Sequence, residues 1–275
     1  KAPANGPEAP FEEYVLATGD IKYNGEVILP DPPVFGEGKT YEFVGWFDAD
    51  GNEYKDGDIY TGTEDLVLYA EYKEIAVKLV PIEGSTTVVD RNGVRESYNS
   101  GTDRDGNAYT PVNGVPYEED DFEDYYIYGI DFKQRDGALL SDYFTVLGDG
   151  RIEIIHVSSK YSCAGTGSVV NVYDRNGTKE TTDDDLVESF YIVIFGDVNG
   201  DAAANSLDAS IIEEEALGVT SWSSWMSDSY QSYRLMAADL NYDSKIKSID
   251  SSLVEHYALG VGEIDQVSGI ATTIS

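Results

Sequence analysis

Residues 197–219 read DVNGDAAANSLDASIIEEEALGV, and residues 239–261 read DLNYDSKIKSIDSSLVEHYALGV. The second stretch repeats the first at an offset of 42 residues, from 197 to 239. Both carry Asp at positions one, five and twelve, Asn at three, Ser at ten and an aliphatic residue at eleven, and both close on Ala-Leu-Gly-Val. Each copy reads as an acidic loop running into a helix. A single Asp-x-Asn-x-Asp arises often in surface turns, but a doubled one with the same closing Asp and the same helix end is far more specific. The side chains at the repeated positions offer oxygen, the donor that hard cations take.

This double pattern resembles a dockerin, a small helical module with two EF-hand-like loops. The resemblance implies two calcium ions, each wrapped by a loop that donates from positions one, three, five, seven, nine and twelve. In the first loop these are Asp197, Asn199, Asp201, the carbonyl of Ala203, Asn205 through water, and Asp208. In the second they are Asp239, Asn241, Asp243, the carbonyl of Lys245, and Asp250. The carboxylates repel one another without metal, so folding here is expected to be linked to calcium. The chain departs from the family at position six, where Ala202 and Ser244 replace glycine. Each is expected in a backbone conformation that costs about 1 kcal/mol outside glycine. Lys247 at position nine cannot ligate and is expected to swing away, leaving that place to water. Ala204 stands at position eight of the first loop, where the second keeps Ile246. Both loops are expected to bind, more weakly than an idealised one.

The resemblance further implies a cohesin as partner, on a scaffoldin or a cell-surface anchoring protein. Contact is expected through Ser206, Leu207, Glu213 and Glu214 of the first repeat and Ser248, Ile249, Glu255 and His256 of the second. Many relatives are basic where Glu213 and Glu214 stand, so the partner surface here is expected to complement acid. Packing within the module is the competing role for Leu207 and Ile249. Because the contact positions nearly repeat, docking in two orientations about half a turn apart is expected. Trp222, Trp225, Tyr230 and Tyr233, between the repeats, are expected to complete a small core.

The chain has 275 residues, with 18 Lys and Arg against 52 Asp and Glu, a net charge of −34. Such a field repels phosphate backbones and anionic lipid, which argues against nucleic-acid and membrane-surface roles. At 41% hydrophobic residues and 21 Tyr, folded cores are expected rather than disorder. Cys163 is the single cysteine, so no disulfide framework or cysteine metal site forms within the chain. No apolar run is long enough to span a bilayer. A start at Lys1 with no charged-then-apolar leader is what a mature or excised piece would show.

Residues 1–10 (KAPANGPEAP) read as a linker end. From 11 to 195 the pattern is β. Strand-length apolar runs at Tyr41–Phe47, Leu66–Tyr72, Ile75–Val80, Tyr125–Phe132, Ile152–Val157, Val169–Tyr173 and Phe190–Phe195 alternate with Gly- and Asn-rich turns. Within residues 11–73, YEFVGWFDADGN (Tyr41–Asn52) and TEDLVLYAEY (Thr63–Tyr72) resemble the β-grasp repeat of bacterial surface proteins, the internalin B-repeat kind. That implies an extracellular spacer or adhesion module with no catalytic residues, in which Trp46 is expected to be core or half-buried, with a sugar-stacking platform as the lesser reading. Residues 74–195 read as a second, β-sandwich-like module, similar in its placement to the X-module that precedes some dockerins. Its last strand runs through Gly196 into Asp197 with no linker, so the two are expected to pack as one body.

Asp48-x-Asp50-x-Asn52 and Asp103-x-Asp105-x-Asn107 begin like calcium loops but lack the closing carboxylate, so acidic turns are expected there, and a solvated loop at Glu118–Asp124. His156 sits in an apolar strand pattern and is expected to be packed. No nucleophile, zinc-protease or phosphate-loop motif is present, and the expectation is a non-enzyme. The organisation expected is therefore mainly β N-terminal modules, then a dockerin over 196–264 and a C-terminal tail over 265–275. The function expected is secreted or cell-surface assembly of a cellulosome-type complex, with polysaccharide degradation as its context. The alternative is a carbohydrate-binding or surface adhesion module with an appended dockerin.

Overall fold

The computed structural model describes residues 25–27, 29, 41–55, 57–62, 66–97, 125–130, 140–157, 163–175, 181–182, 184–222 and 228–274. Among these it is mostly β, with three helices near the C-terminus. The chain divides into two compact units, residues 1–76 with 147–149, and residues 77–146 with 150–275. Among the described residues no helix is long and apolar enough to cross a membrane.

The first unit holds β1 (Gly25–Glu26), β2 (Tyr41–Phe47), β3 (Glu53–Tyr54), β4 (Ile59–Tyr60) and β5 (Tyr69–Glu74). β2 is central, antiparallel to β3 on one side and β5 on the other, and β1 pairs with β4. Trp46 is 6% exposed and lies edge-on to Phe43, a core residue rather than an open aromatic platform. Asp48 closes the β2–β3 turn by accepting from the backbone N–H of Asp50 and Asn52, the Asn52 amide and the Tyr54 hydroxyl. These bonds, the Asn52 amide first, hold its carboxyl below the ordinary carboxylate range. Asp48 is thus a turn cap, as the missing closing carboxylate implied. Residues 103–107 and 118–124 lie outside the described residues.

The second unit is built on a six-stranded sheet. Its elements are β6 (Lys78–Pro81), β7 (Val88–Arg91), β8 (Val94–Glu96), β9 (Tyr125–Tyr128), β10 (Phe144–Leu147), β11 (Gly150–Ile155), β12 (Val169–Asp174) and β13 (Asp185–Ile192), then α1 (Ser206–Ala216), α2 (Asp228–Ala238), α3 (Ser248–Ala258), β14 (Gly262–Ile264) and β15 (Ala271–Thr273). The sheet order is β11-β12-β13-β9-β7-β8, antiparallel except for the β13–β9 pair, and β6 pairs with β10. Successive side chains on a strand face opposite ways, and this sheet uses both faces. Val89, Ile127, Phe190 and Ile192 enter one core with Leu79 and Phe144, while Val88, Tyr128 and, partly buried, Tyr126 and Tyr191 enter a second with the helices. In that second core Tyr191 stacks on Tyr233 of α2 at 4.8 Å, and the Tyr126 hydroxyl donates to Ser232.

β13 leaves the sheet at Val193, whose N–H still reaches Ile127, and Gly196 then donates to Ala237 at the end of α2. Gly196 has φ +92, and a Cβ there would lie 2.8 Å from Ala204 and 2.9 Å from Ile264, so only glycine makes this passage without displacing them. Phe195 is clasped by Gln266, which donates to its carbonyl and accepts from its N–H. Residues 265–275, read as a tail, carry β15, which pairs with β14 and lies against α3. Trp222 and Tyr233 are buried in the helical core; Trp225 and the side chain of Tyr230 lie outside the described residues.

A buried ion network joins the strands. Arg91 donates to Glu188 and Glu96, Lys78 donates to Glu96, and the Leu79 N–H donates to Glu188. Glu96 and Glu188 are each 1% exposed, so their charge is carried by these pairs. Phe195 is wholly buried in the core that sheet and helices share, edge-on to Tyr128 of β9 and beside Gly269 of the β14–β15 connection. Phe195→Ala is expected to cost about 3–5 kcal/mol and to lower one cooperative transition of the second unit rather than a helical one alone. Thermal melts followed at 222 nm and by near-ultraviolet dichroism should therefore shift together.

Candidate functional site: two matched acidic loops and the helices behind them

The two loops fold by the same hydrogen bonds. At position twelve, one oxygen of Asp208 accepts from the N–H groups of Val198 and Asn199 and the other from Asn205. Asp250 does the same with Leu240, Asn241 and Lys247. At position one, Asp197 accepts from Ala202 and Asp239 from Ser244, the residues at position six. At position three, Asn199 and Asn241 each accept from the N–H of position five, Asp201 and Asp243. Asn205 caps α1 by accepting from Leu207, and its amide donates to the Ala203 carbonyl. The same side-chain-to-backbone bonds thus shape both turns. Ala203 is half-buried and Lys245 exposed at position seven.

The expected strain at position six is present. Ala202 has φ 63 and Ser244 φ 60, both left-handed. Position four is left-handed too, with Gly200 at φ 78 and Tyr242 at φ 57, so the second loop has two non-glycine residues there. Lys247 does not swing away. Its ammonium donates to Asp243 at 2.5 Å. This bond is the main cause that holds the Asp243 carboxyl below the usual carboxylate range.

The loops differ in their surroundings. Asp197, Asp208, Asp239 and Asp250 are buried alike, but residues 241–245 of the second loop are exposed where the equivalent residues 199–203 of the first are buried or half-buried. The segment before β12 covers the first loop. The Thr166 N–H donates to Asp197, and the Cys163 thiol donates to the Asp201 carbonyl. A Cβ on Gly165 would lie 2.2 Å from the Gly200 carbonyl oxygen, a backbone approach that glycine alone permits. Ala202 is part of the sheet core. None of these covering residues was singled out from sequence as a loop contact, because their partners are 31 to 38 residues away. His156 is exposed rather than packed, with Nδ1 3.1 Å from the Cys163 carbonyl; the strand ends at Ile155 and releases it.

Burial drives Asp197 and Asp208 toward the protonated form. Asp197 is pushed up to about 6 by desolvation, and Asp208 to about 7 by desolvation and then the charge of Asp197. Desolvation also raises Asp250. No Lys or Arg among the described residues pairs with Asp197, Asp201 or Asp208. Among the described residues no group of three His, Cys, Asp or Glu side chains is gathered as a metal site. Each loop carries carboxylate and amide oxygen, the donors a hard cation takes, and in the first loop the buried Asp197 and Asp208 have no Lys or Arg partner among the described residues.

Behind the loops α1 and α3 pack antiparallel, with Ser248 donating to Glu213 and Ser251 to the Ala209 carbonyl. Six of the eight residues expected to meet a partner line one groove between them: Ser206, Glu213, Glu214, Ser248, Glu255 and His256. Leu207 and Ile249 stand outside it, 54% and 48% exposed, so neither is consumed by packing within the unit. Leu217, Val219, Leu259 and Val261, the repeated helix ends, are also exposed.

Residues 195–259 match the family model described as the dockerin type I domain. Comparisons with curated proteins and with solved structures gave no match. The recognition of a dockerin in this chain thus holds for that segment. Dockerins are calcium-dependent modules that bind cohesins and are not themselves catalytic.

Two outcomes follow for the loops. A carboxylate whose pKa rises on folding favours the native state below its unfolded value near 4 and loses that benefit as pH rises toward the folded value. Asp197 and Asp208 should therefore make the metal-free protein progressively less stable between about pH 4 and pH 7, and the melting-temperature gain on adding calcium should be larger at pH 7.5 than at pH 5. Separately, Ser244→Gly should stabilise the second loop by about 1 kcal/mol, since it relieves a left-handed side chain that is exposed. Ala202→Gly should gain less, because the buried Ala202 methyl is lost from the sheet core.

Proposed function

We propose that this chain is a connector whose C-terminal segment binds a cohesin in a calcium-dependent way. Asp197, Asn199, Asp201, Ala203, Asn205 and Asp208 would hold one ion, and Asp239, Asn241, Asp243, Lys245 and Asp250 a second. The first ion would supply the positive charge that Asp197, Asp201 and Asp208 lack, the second would add to what Lys247 already gives Asp243, and each would pin the N-terminus of the helix that follows. The equivalent faces of α1 and α3 then dock, with Ser206, Leu207, Glu213 and Glu214 on one and Ser248, Ile249, Glu255 and His256 on the other. The supporting observation is the antiparallel pair itself: a half-turn about it exchanges Ser206 and Leu207 with Ser248 and Ile249, all exposed. Two docking orientations follow from that symmetry. Three glutamates line the groove, which favours a cohesin with a basic surface opposite.

In this reading residues 11–73 are an internalin B-repeat-like spacer, residues 74–195 an X-like module that stabilises the dockerin, and residues 196–264 the dockerin. The setting is a secreted, cellulosome-type assembly in which the cohesin belongs to a scaffoldin or a cell-surface anchor. The bonds from Cys163 and Thr166 to the first loop support a stabilising role for the preceding segment. Calorimetry against a cohesin panel in calcium and in chelator tests the proposal. Binding to at least one cohesin in calcium, lost in chelator, is expected; affinity unchanged by chelator overturns it. Leu207→Ala with Ser206→Ala, or Ile249→Ala with Ser248→Ala, should each leave binding nearly intact, while the fourfold variant should weaken it about a hundredfold.

A further inference from the structure

The two loops share a hydrogen-bond pattern but not a charge. Residues 197–208 contain three Asp and no basic residue, a formal −3, whereas residues 239–250 contain three Asp with Lys245 and Lys247, a formal −1. The structure shows one of these lysines at work. Lys247 occupies position nine, and its ammonium sits on the Asp243 carboxylate at position five, 2.5 Å away. The equivalent residue of the first loop, Asn205, turns its oxygen to the helix N-terminus instead. The first loop therefore offers its carboxylates without an internal competitor. In the second, one carboxylate is already taken by a cation tethered to the chain.

We infer that Lys247 is an internal counter-cation that makes the second loop the weaker of two unequal calcium sites. This rests on the calcium reading above. An ion entering the second loop must displace the ammonium from Asp243, and its two charges meet a loop of −1 rather than −3. The Lys247 side chain is 49% exposed and has room to move outward, so the cost is electrostatic rather than steric. The first loop fills first, and the second fills only as calcium rises. At intermediate calcium the faces of α1 and α3, equivalent by sequence, are unequal in order, and the face behind the first loop is the one ready to dock.

Calcium titration calorimetry on the whole chain, comparing the wild type with Lys247→Met and Lys247→Asn, tests this. The wild type is expected to show two classes of site differing by about tenfold or more. Lys247→Met, which removes only the charge, should tighten the weaker class severalfold, and Lys247→Asn, which also restores an oxygen donor, should tighten it further to about tenfold or more. The tighter class should not move. Melting gives a second readout: both variants should melt no higher than the wild type in chelator but above it in saturating calcium. A purely structural role for Lys247 would shift both in one direction. Two equal sites in the wild type, or a weaker class that stays within twofold in both variants, overturns the inference and leaves calcium binding standing. Absence of calcium binding in all three proteins overturns the calcium reading itself.

Discussion

Asp197 is wholly buried, and backbone N–H groups from Thr166, Gly200 and Ala202 converge on its carboxylate. Asp208, equally buried, gathers three more. Hydrogen bonds satisfy the oxygens but do not remove the charge, and two carboxylates brought this close out of water raise each other's free energy. The rest of the C-terminal half is arranged around that constraint. The loop turns tightly enough to bring position six back to position one, α1 begins where Asn205 and Asp208 satisfy its first N–H groups, and the segment before β12 closes the remaining side.

The same constraint explains why the helical segment is not an independent bead on a string. β13 passes through Gly196 directly into Asp197, Phe195 is held by Gln266 from beyond α3, and Tyr191 stacks on Tyr233. Sheet and helices share a core because alternate residues of β7, β9 and β13 point into it. Contacts of this density tie the first loop to the sheet, while the second loop, exposed along residues 241–245, meets the rest of the unit through Leu240, which accepts from the Ala271 N–H, and through Ile246. Two copies of one motif thus sit in different electrostatic settings.

Seven of the fifteen strands among the described residues overlap a run legible in the sequence, and β2 matches its expected bounds, Tyr41–Phe47. Others shifted: Phe190–Phe195 reads as a strand, but the strand is Asp185–Ile192, because Val193 and Phe195 enter the helical core and Ile194 the sheet core as the chain leaves the ladder. The β7–β8 hairpin lies outside every apolar run of the sequence. Its inward positions include Asp90 and Glu96, buried in ion pairs, and an apolar-period reading treats such residues as surface. β15 was read as tail because ATTIS carries little apolar signal, and pairing with β14 defines it.

By itself the sequence determined the doubled loops, the oxygen-bearing positions in each, the left-handed turn demanded at position six and the helices that follow. These are local, set by spacing within 23 residues and by side chains bonding to their own backbone. It also determined that the two copies are related and that their exposed Ser-Leu and Ser-Ile pairs correspond. Only the tertiary structure decided which loop is buried and which is open, that Thr166 and Cys163 brace the first, and that Lys247 turns inward onto Asp243 rather than out to water. Burial and charge balance depend on what distant segments bring, and a pattern of spacings does not record the far side of a sheet.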